Sequence, residues 1–394
     1  MKPAAGTGSA VTLLALSAFF SGAALRICDG LLPRLARDYD VTAGVAGRVA
    51  LTFSVAYGFA QLAFGPLGDR FGKARLICAA LFGCVITSLA CSMAPTFDTL
   101  VLLRILWGIT AAGVIPLSIA WIGDAVPYEH RQATLARFLM GTLSGMMAGQ
   151  LAGGLFADSA WGWRGAFITL CVGYIGVAVL LLVRLGDLTA LSGPASTTRI
   201  AFGKQLASVL RVPWARVVLL AVAAEGVFLL GPLTFLPSFL HQRHGMTLSA
   251  ASALIALFAL GGLLYAAFAR HIVRRFGERR MVLAGGWMMG IGCLAWYLSP
   301  VAGLAGPIAL LVGFGTYLYH NTLQANATQM VPEVRGTAVA CFAFCLFTGS
   351  AIGVSWAGYA FDHFGAAPLL LVPAVTLPLA GWGFARALKR RAQA

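Results

Sequence analysis

Apolar runs of about 20 residues, each long enough to cross a bilayer as a helix, recur along the whole chain between short polar segments. Because lipid offers the backbone no hydrogen-bond partners, such runs are expected to be helical. The pattern predicts an all-α integral membrane protein with twelve transmembrane helices. The predicted spans are residues 10–35, 46–65, 76–94, 98–123, 133–157, 166–185, 215–240, 249–269, 281–299, 303–330, 337–360 and 367–386.

The composition excludes an ordinary soluble protein. Of the 394 residues, 59% are hydrophobic and 10% are charged, whereas soluble domains carry about 25% charged residues. A core of this size cannot hide so much apolar surface from water. The eight cysteines fall within apolar segments and show no CxxC spacing, so we predict neither a disulfide framework nor a metal site.

The distribution of positive charge predicts the orientation in the membrane. A net charge of +15 would also suit a nucleic-acid-binding protein. However, of the 28 lysines and arginines, 21 lie on one side of the predicted spans, five on the other and two within spans. This asymmetry is the positive-inside pattern of membrane proteins. We therefore expect a lipid bilayer and no nucleic acid as a partner, a multi-pass protein of the bacterial inner membrane, and both termini in the cytoplasm.

The chain divides into two halves that repeat. A polar stretch, residues 186–214, separates an N-terminal half (1–185) from a C-terminal half (215–394) and is expected to be a cytoplasmic linker. Positions 204 residues apart match, as in Gly145 with Gly349 and Asp158 with Asp362. Repeats at a constant offset indicate duplicated units. Six spans in each half give parallel repeats, and in transporters such repeats enclose a cavity between them.

A charged, glycine-rich segment ends span 2. Its notable residues are Gly65, Asp69, Arg70, Gly72 and Lys73. The segment resembles the signature between spans 2 and 3 of the major facilitator superfamily, although Ala74 stands where a basic residue is usual. The resemblance extends over nearly the whole chain, because the span count and the internal repeat agree with it. It implies a gate network of Asp69 and Arg70 with an acidic residue at the end of span 4, where Asp124 stands.

Span 4 contains an arginine deep in its apolar run. Arg104 precedes Gly108 by four residues, and this spacing resembles the superfamily's R-x-x-x-G motif, which is linked there to proton coupling. An arginine at such a depth is costly and should face a wet cavity or a carboxylate. The alternative is a purely structural ion pair.

Span 5 is rich in glycines that share one face of the helix, which predicts close helix packing. They are Gly141, Gly145, Gly149, Gly153 and Gly154. The run resembles the antiporter motif G-x-x-x-G-P-x-x-G-G, with Gln150 in the place of the proline. This departure weakens the antiporter inference and leaves the packing role intact.

Two spans carry candidate proton-coupling carboxylates. In span 1, Arg26 and Asp29 are three residues apart and share a helix face. The pair is a candidate for binding a polar substrate, and Asp29 is a candidate for titration. In span 7, Glu225 has no basic residue within a turn, and low-dielectric surroundings favour the neutral form of such a carboxyl. The alternatives are a structural ion pair in span 1 and a hydrogen-bonded packing residue in span 7.

Span 10 is the most polar of the twelve. Tyr317, His320, Asn321 and Gln324 follow helical spacing and form one stripe, as residues lining a cavity do. His320 has a structural alternative as a satisfied core histidine. Together with the Arg26–Asp29 pair, the stripe resembles a bacterial subgroup of drug and metabolite efflux permeases.

These observations predict a secondary active transporter, not an enzyme. We expect a monomer without a cofactor that exports a small molecule by proton antiport. The expected substrate contacts are Arg26, Asp29, Arg104, His320, Asn321 and Gln324. The first alternative is a facilitator or proton symporter that takes up a metabolite such as an organic anion. Two further alternatives, an intramembrane enzyme and a transporter-like sensor, lack sequence support, since the chain has no HExxH or GxSxG motif and its short termini offer no added soluble domain.

Overall fold

A computed structural model of the chain describes residues 7–191 and 202–393, and all regular elements in these ranges are helices. The first half contains six spans. They are span 1 (Thr7–Asp38), span 2 (Arg48–Phe71, preceded by the short helix Ala43–Ala46), span 3 (Lys73–Ser92), span 4 (Phe97–Ala111 and Val114–Ala125), span 5 (Tyr128–Asp158) and span 6 (Gly162–Val183).

The second half repeats this order. Its spans are span 7 (Pro213–Glu225, the π-helix Gly226–Leu230, Gly231–Leu233 and Leu236–His244), spans 8 and 9 (both within Leu248–Leu298), span 10 (Ala305–Ala327, preceded by a 3-10 turn at Ala302–Leu304), span 11 (Arg335–Phe364, preceded by a 3-10 turn at Pro332–Val334) and span 12 (Ala366–Arg391). Gly277 separates spans 8 and 9, because its φ of 68° interrupts the helix.

The predicted all-α membrane fold is confirmed. Ten helices of the described ranges are long and apolar enough to cross a membrane. One of them, Leu248–Leu298, bends at Gly277 and supplies two spans. Span 5 completes the twelve. The predicted linker is not a simple loop, because it contains helices Leu185–Leu191 and Phe202–Arg211. Positions 192–201 of that linker, like residues 1–6 and 394, lie outside the described residues, and the domain boundaries stay predictions.

Spans 1 and 5 pack backbone to backbone through the glycines of span 5. A Cβ atom added at Gly141 would lie 2.6 Å from the carbonyl oxygen of Ala15. Cβ atoms at Gly145, Gly149 and Gly153 would likewise collide with the carbonyls of Phe19, Ala23 and Ile27. Both sets advance by four residues, so one face of span 5 follows one face of span 1 for three turns.

The second half repeats this contact. Gly349 lies against the carbonyl of Ala223, and Gly353 lies against that of Val227. Each of these residues stands 204 positions after its counterpart in the first half. The internal repeat seen in the sequence is therefore also a repeat of helix packing.

Two aspartates join the halves at one end of the bundle, which we call the clamped end. Asp158, at the end of span 5, accepts hydrogen bonds from the Ser249 backbone N–H (2.7 Å) and hydroxyl (2.6 Å) and from the Leu248 N–H (3.3 Å). Asp362, at the end of span 11, accepts bonds from the Thr42 hydroxyl (2.5 Å) and the Gly44 N–H (2.9 Å). Each carboxylate thus caps the start of a helix in the opposite half, where free N–H groups favour negative charge.

Close glycine contacts between spans 2 and 11 are found toward the clamped end. A Cβ at Gly44 would collide with Gly358, and one at Gly58 would lie 3.1 Å from Phe347. Further along, Cβ atoms at Gly65 and Gly336 would meet no atom within 4 Å. These two glycines lie toward the loop at Gly72, which we call the motif end.

The two aspartates are predicted to hold the clamped end shut. Replacing both Asp158 and Asp362 with asparagine removes the charge that the two helix starts favour, so the end should open about fivefold more often. The measurement is labelling of Ser252→Cys in a cysteine-less protein. Ser252 is buried between the halves, and the impermeant thiol reagent is added on the side that the charge pattern predicts to be external.

Asp38→Asn is the matched control for this measurement. Asp38 lies at the same end but pairs with Arg34 of its own helix at 2.9 Å, so its loss should leave labelling unchanged. Equal labelling of the double variant and the control would show that the aspartates do not hold this end shut. Faster labelling from the opposite side would contradict the predicted orientation.

Candidate functional site

A narrow cavity lies between the halves, near the middle of the spans that line it. Its walls come from spans 1 and 5 of the first half and from spans 7, 8 and 10 of the second. The lining is mostly apolar and includes three polar side chains. The lining residues are Arg26, Met146, Met147, Gln150, Leu233, Ile255, Ala256, Phe258, Ala259 and Tyr317.

Arg26 lies in the cavity wall and is paired with Asp29. Its Nη1 donates to Asp29 Oδ2 at 3.1 Å. The side chain of Asp29 is only 2% exposed, whereas that of Arg26 is 12% exposed. The pairing within span 1 follows the spacing of three residues, as the sequence predicted, and the arginine is the partner that faces the cavity.

Glu225 has a partner that the sequence did not reveal. His320 Nδ1 lies 3.1 Å from each carboxylate oxygen of Glu225. The two residues are 95 positions apart and come from spans 7 and 10. Glu225 therefore has no basic partner within a turn of its own helix, as expected, but it does have one from another span. Among the described residues, neither Arg26 nor Arg104 forms a salt bridge with Glu225.

The Glu225–His320 pair is set where span 7 loses its regular helix. A π-helical segment, Gly226–Leu230, begins directly after Glu225, and π-helical segments are frequent at functional sites. Glu225 is 1% exposed and His320 is 19% exposed. The histidine is therefore the more accessible member of the pair.

Arg104 does not line the cavity as predicted. It is buried within the first half, where its Nε donates to the Val49 carbonyl at 3.1 Å. Its guanidinium carbon lies 4.1 Å from the ring centroid of Phe53 and 4.9 Å from that of Trp107. Nη1 of Arg104 is buried without a hydrogen-bond partner. The described salt bridge of Asp29 is with Arg26 and not with Arg104.

The polar stripe of span 10 is divided between different environments. Tyr317 lines the cavity and His320 pairs with Glu225. The Asn321 amide donates to the Tyr317 carbonyl one turn earlier, at 3.0 Å. Gln324 is exposed closer to the motif end. The structure therefore places Tyr317 at the cavity and His320 beside Glu225, whereas Asn321 and Gln324 lie farther along the helix.

Lys73 is the centre of the charge cluster at the motif end. It bonds to Asp124 and lies 3.8 Å from Asp69. Arg70, which the resemblance placed in this network, instead lies over the ring of Phe71, 5.1 Å from its centroid. The cluster belongs entirely to the first half.

Gln150 is the cavity residue whose significance the sequence analysis missed. It was noted only as a departure from a motif. In the structure it is 5% exposed, it lines the cavity, and its Nε2 has no hydrogen-bond partner. The signal was present in the sequence, since a glutamine within an apolar span needs a partner.

The chain matches the family model described as Major Facilitator Superfamily over residues 14–354. It is 22% identical to the uncharacterized MFS-type transporter YceJ of Bacillus subtilis, over 88% of this chain and 89% of that protein. It is 23% identical to the 4-hydroxybenzoate transporter PcaK of Pseudomonas aeruginosa (96% and 88%). The multidrug export protein EmrB of Haemophilus influenzae is 30% identical, but over only 43% of this chain and 32% of its own length.

A solved structure, that of a D-xylose–proton symporter, has the same fold. It superposes with a TM-score of 0.77 at 14% sequence identity and covers 97% of each chain. At that identity the likeness shows the fold alone.

The charge cluster of the motif end gives a prediction about conformational balance. Asp69→Asn removes one carboxylate beside Lys73 and should slow transport several-fold without lowering the amount of protein in the membrane, because the residue is far from the cavity and acts on the balance between end states. Initial transport rates measured at equal protein levels test this. Asp187→Asn is the control, since Asp187 lies in the linker and pairs only locally with Arg184. Unchanged kinetics in Asp69→Asn would exclude the gate role.

Proposed function

The chain belongs to the Major Facilitator Superfamily, and we propose that it is a proton-coupled secondary transporter that carries a small organic molecule by alternating access. The cavity between the halves is the substrate site, and the Glu225–His320 pair is the proton site. The bacterial inner membrane and cytoplasmic termini, predicted from the charge pattern, are part of this proposal.

The observation that carries the proposal is the buried acid–base pair beside the cavity. A carboxylate at mid-membrane is costly unless it is paired or protonated. Glu225 is buried and its only described ion-pair partner is His320, a residue whose protonation changes near neutral pH. A proton therefore changes the net charge of the pair, and the free energy of that change differs between a wet and a dry cavity. Alternating exposure of the site then links proton movement to the conformational cycle.

Two forms of coupling fit a proton site of this kind. Export by antiport is the form predicted from the sequence, and the glycine-rich span 5 and the likeness to EmrB support it. Symport of an organic anion is the second candidate. It is supported by Arg26 in the cavity wall and by the likeness to a relative named for 4-hydroxybenzoate. Because a proton added near Arg26 makes the cavity more positive, the charges of the site favour the symport of an anion.

Glu225→Gln separates a coupling role from a structural one. The amide keeps the size of the side chain but cannot take up a proton. In proteoliposomes the variant should still exchange substrate down its gradient, whereas accumulation driven by an imposed pH gradient should fall at least tenfold. The measurement compares exchange and accumulation in the same preparation.

Glu333→Gln is the matched control, since Glu333 is an exposed glutamate outside the cavity, and it should behave like the native protein. If Glu225 were only a packing residue, exchange and folding would fail together with accumulation. Retained pH-driven accumulation in Glu225→Gln would overturn the proton-site assignment.

A further inference from the structure

We propose that Arg26 and Gln150 form a subsite for the carboxylate of a small organic anion. The inference rests on the proposed function, because it names the substrate class of the same cavity. It assigns the recognition to a residue, Gln150, that stands where the resembling motif has a proline.

The first support is a pair of donors that the protein leaves unused at the cavity wall. Gln150 lines the cavity, and its Nε2 is buried and has no hydrogen-bond partner. A buried amide donor without an acceptor costs free energy comparable to a lost hydrogen bond. Arg26, on the neighbouring span, uses Nη1 to bind Asp29. A guanidinium has five N–H donors in a planar fork, so it has others for a second carboxylate.

The second support is the balance of charge in the membrane interior. In the described part of the chain, the ionisable Arg, Asp, Glu and His side chains deep in the spans are Arg26, Asp29, Arg104, Glu225 and His320. Two arginines balance two carboxylates when His320 is neutral, and one proton on the Glu225–His320 pair leaves a net charge of +1. A single negative charge on the substrate restores neutrality. The same count predicts that protonation of the pair strengthens anion binding.

The surroundings of the pair and of the subsite complete the assignment. The ring centroid of Tyr317 lies 6.5 Å from that of His320, and Tyr317 lines the cavity together with Arg26. The rest of the cavity wall is apolar, with Met146, Met147 and Phe258 among its members. The expected ligand therefore has one carboxylate and an apolar aromatic or aliphatic body.

The binding test uses two carboxylates and their neutral amides, namely benzoate with benzamide and octanoate with octanamide. Binding to the full-length protein is measured by competition and by the shift in unfolding temperature, at several pH values. At least one carboxylate should bind about tenfold more tightly than its amide, and its affinity should rise as the pH falls. Gln150→Leu should weaken carboxylate binding several-fold, because the subsite loses one of its donors. Unchanged carboxylate affinity in this variant would remove Gln150 from the subsite.

A double variant tests the guanidinium of the subsite. Arg26→Gln/Asp29→Asn removes the guanidinium without leaving a buried carboxylate unpaired. Its carboxylate affinity should fall about tenfold, while amide affinity stays unchanged. Arg164→Gln is the control, because Arg164 lies over a tryptophan and bonds to a backbone carbonyl at the clamped end.

The outcomes distinguish this inference from the proposed function. Equal binding of acids and amides, or carboxylate affinity that is unchanged in Arg26→Gln/Asp29→Asn, would overturn the carboxylate subsite. Proton-driven transport of neutral or cationic compounds would leave the proposed function standing in that case. If instead carboxylates bind as predicted but a pH gradient drives no accumulation, the proton coupling fails and the subsite stands.

Discussion

The high cost of an uncompensated charge in the hydrocarbon region governs the interior of this protein. The membrane supplies neither water nor counterions, so each buried ion needs a partner from the protein or a proton. Arg26 and Glu225 meet this condition in different ways. The arginine pairs with a neighbour on its own helix, whereas the carboxylate depends on a histidine from another span. A substrate that enters the cavity adds its own charge to these groups. The charges of the protein therefore favour a substrate whose charge keeps the interior close to neutral.

Alternating access requires that the halves separate at one end while they stay joined at the other. Backbone packing through glycines makes each half stiff, because spans 1 and 5, and again spans 7 and 11, touch without intervening side chains. Contacts between the halves at the clamped end also include close glycine packing, as between Gly44 and Gly358. Asp158 and Asp362 add helix caps across the boundary with a few hydrogen bonds each, and such bonds at a solvent-exposed end exchange readily with water. Stiff halves joined partly by exchangeable hydrogen bonds suit rigid-body rocking.

Much of the fold could be predicted from the sequence, because hydrophobic length and charge asymmetry are local properties of the chain. The pairing of Arg26 with Asp29 was predictable for the same reason, since both lie on one turn of span 1. The pairing of Glu225 with His320 depends on how two distant spans pack, and no local pattern encodes it. The prediction that Arg104 lines the cavity was wrong, because the depth of a residue in a span does not determine the direction in which its side chain points. Lys73, and not Arg70, pairs with Asp69 and Asp124. The sequence does not reveal this choice, because the direction of a side chain at a helix end depends on how the neighbouring spans pack.

The central claim is that a proton on the Glu225–His320 pair and an anion on Arg26 favour each other's binding. Proton uptake on ligand binding tests it most directly. Purified protein in a weakly buffered solution is titrated with benzoate or octanoate while a pH indicator records free protons. The account predicts uptake of up to about one proton per bound anion, by the reciprocity of linked binding, and loss of that uptake in His320→Gln. Release of protons on binding, or uptake that persists in His320→Gln, would contradict it.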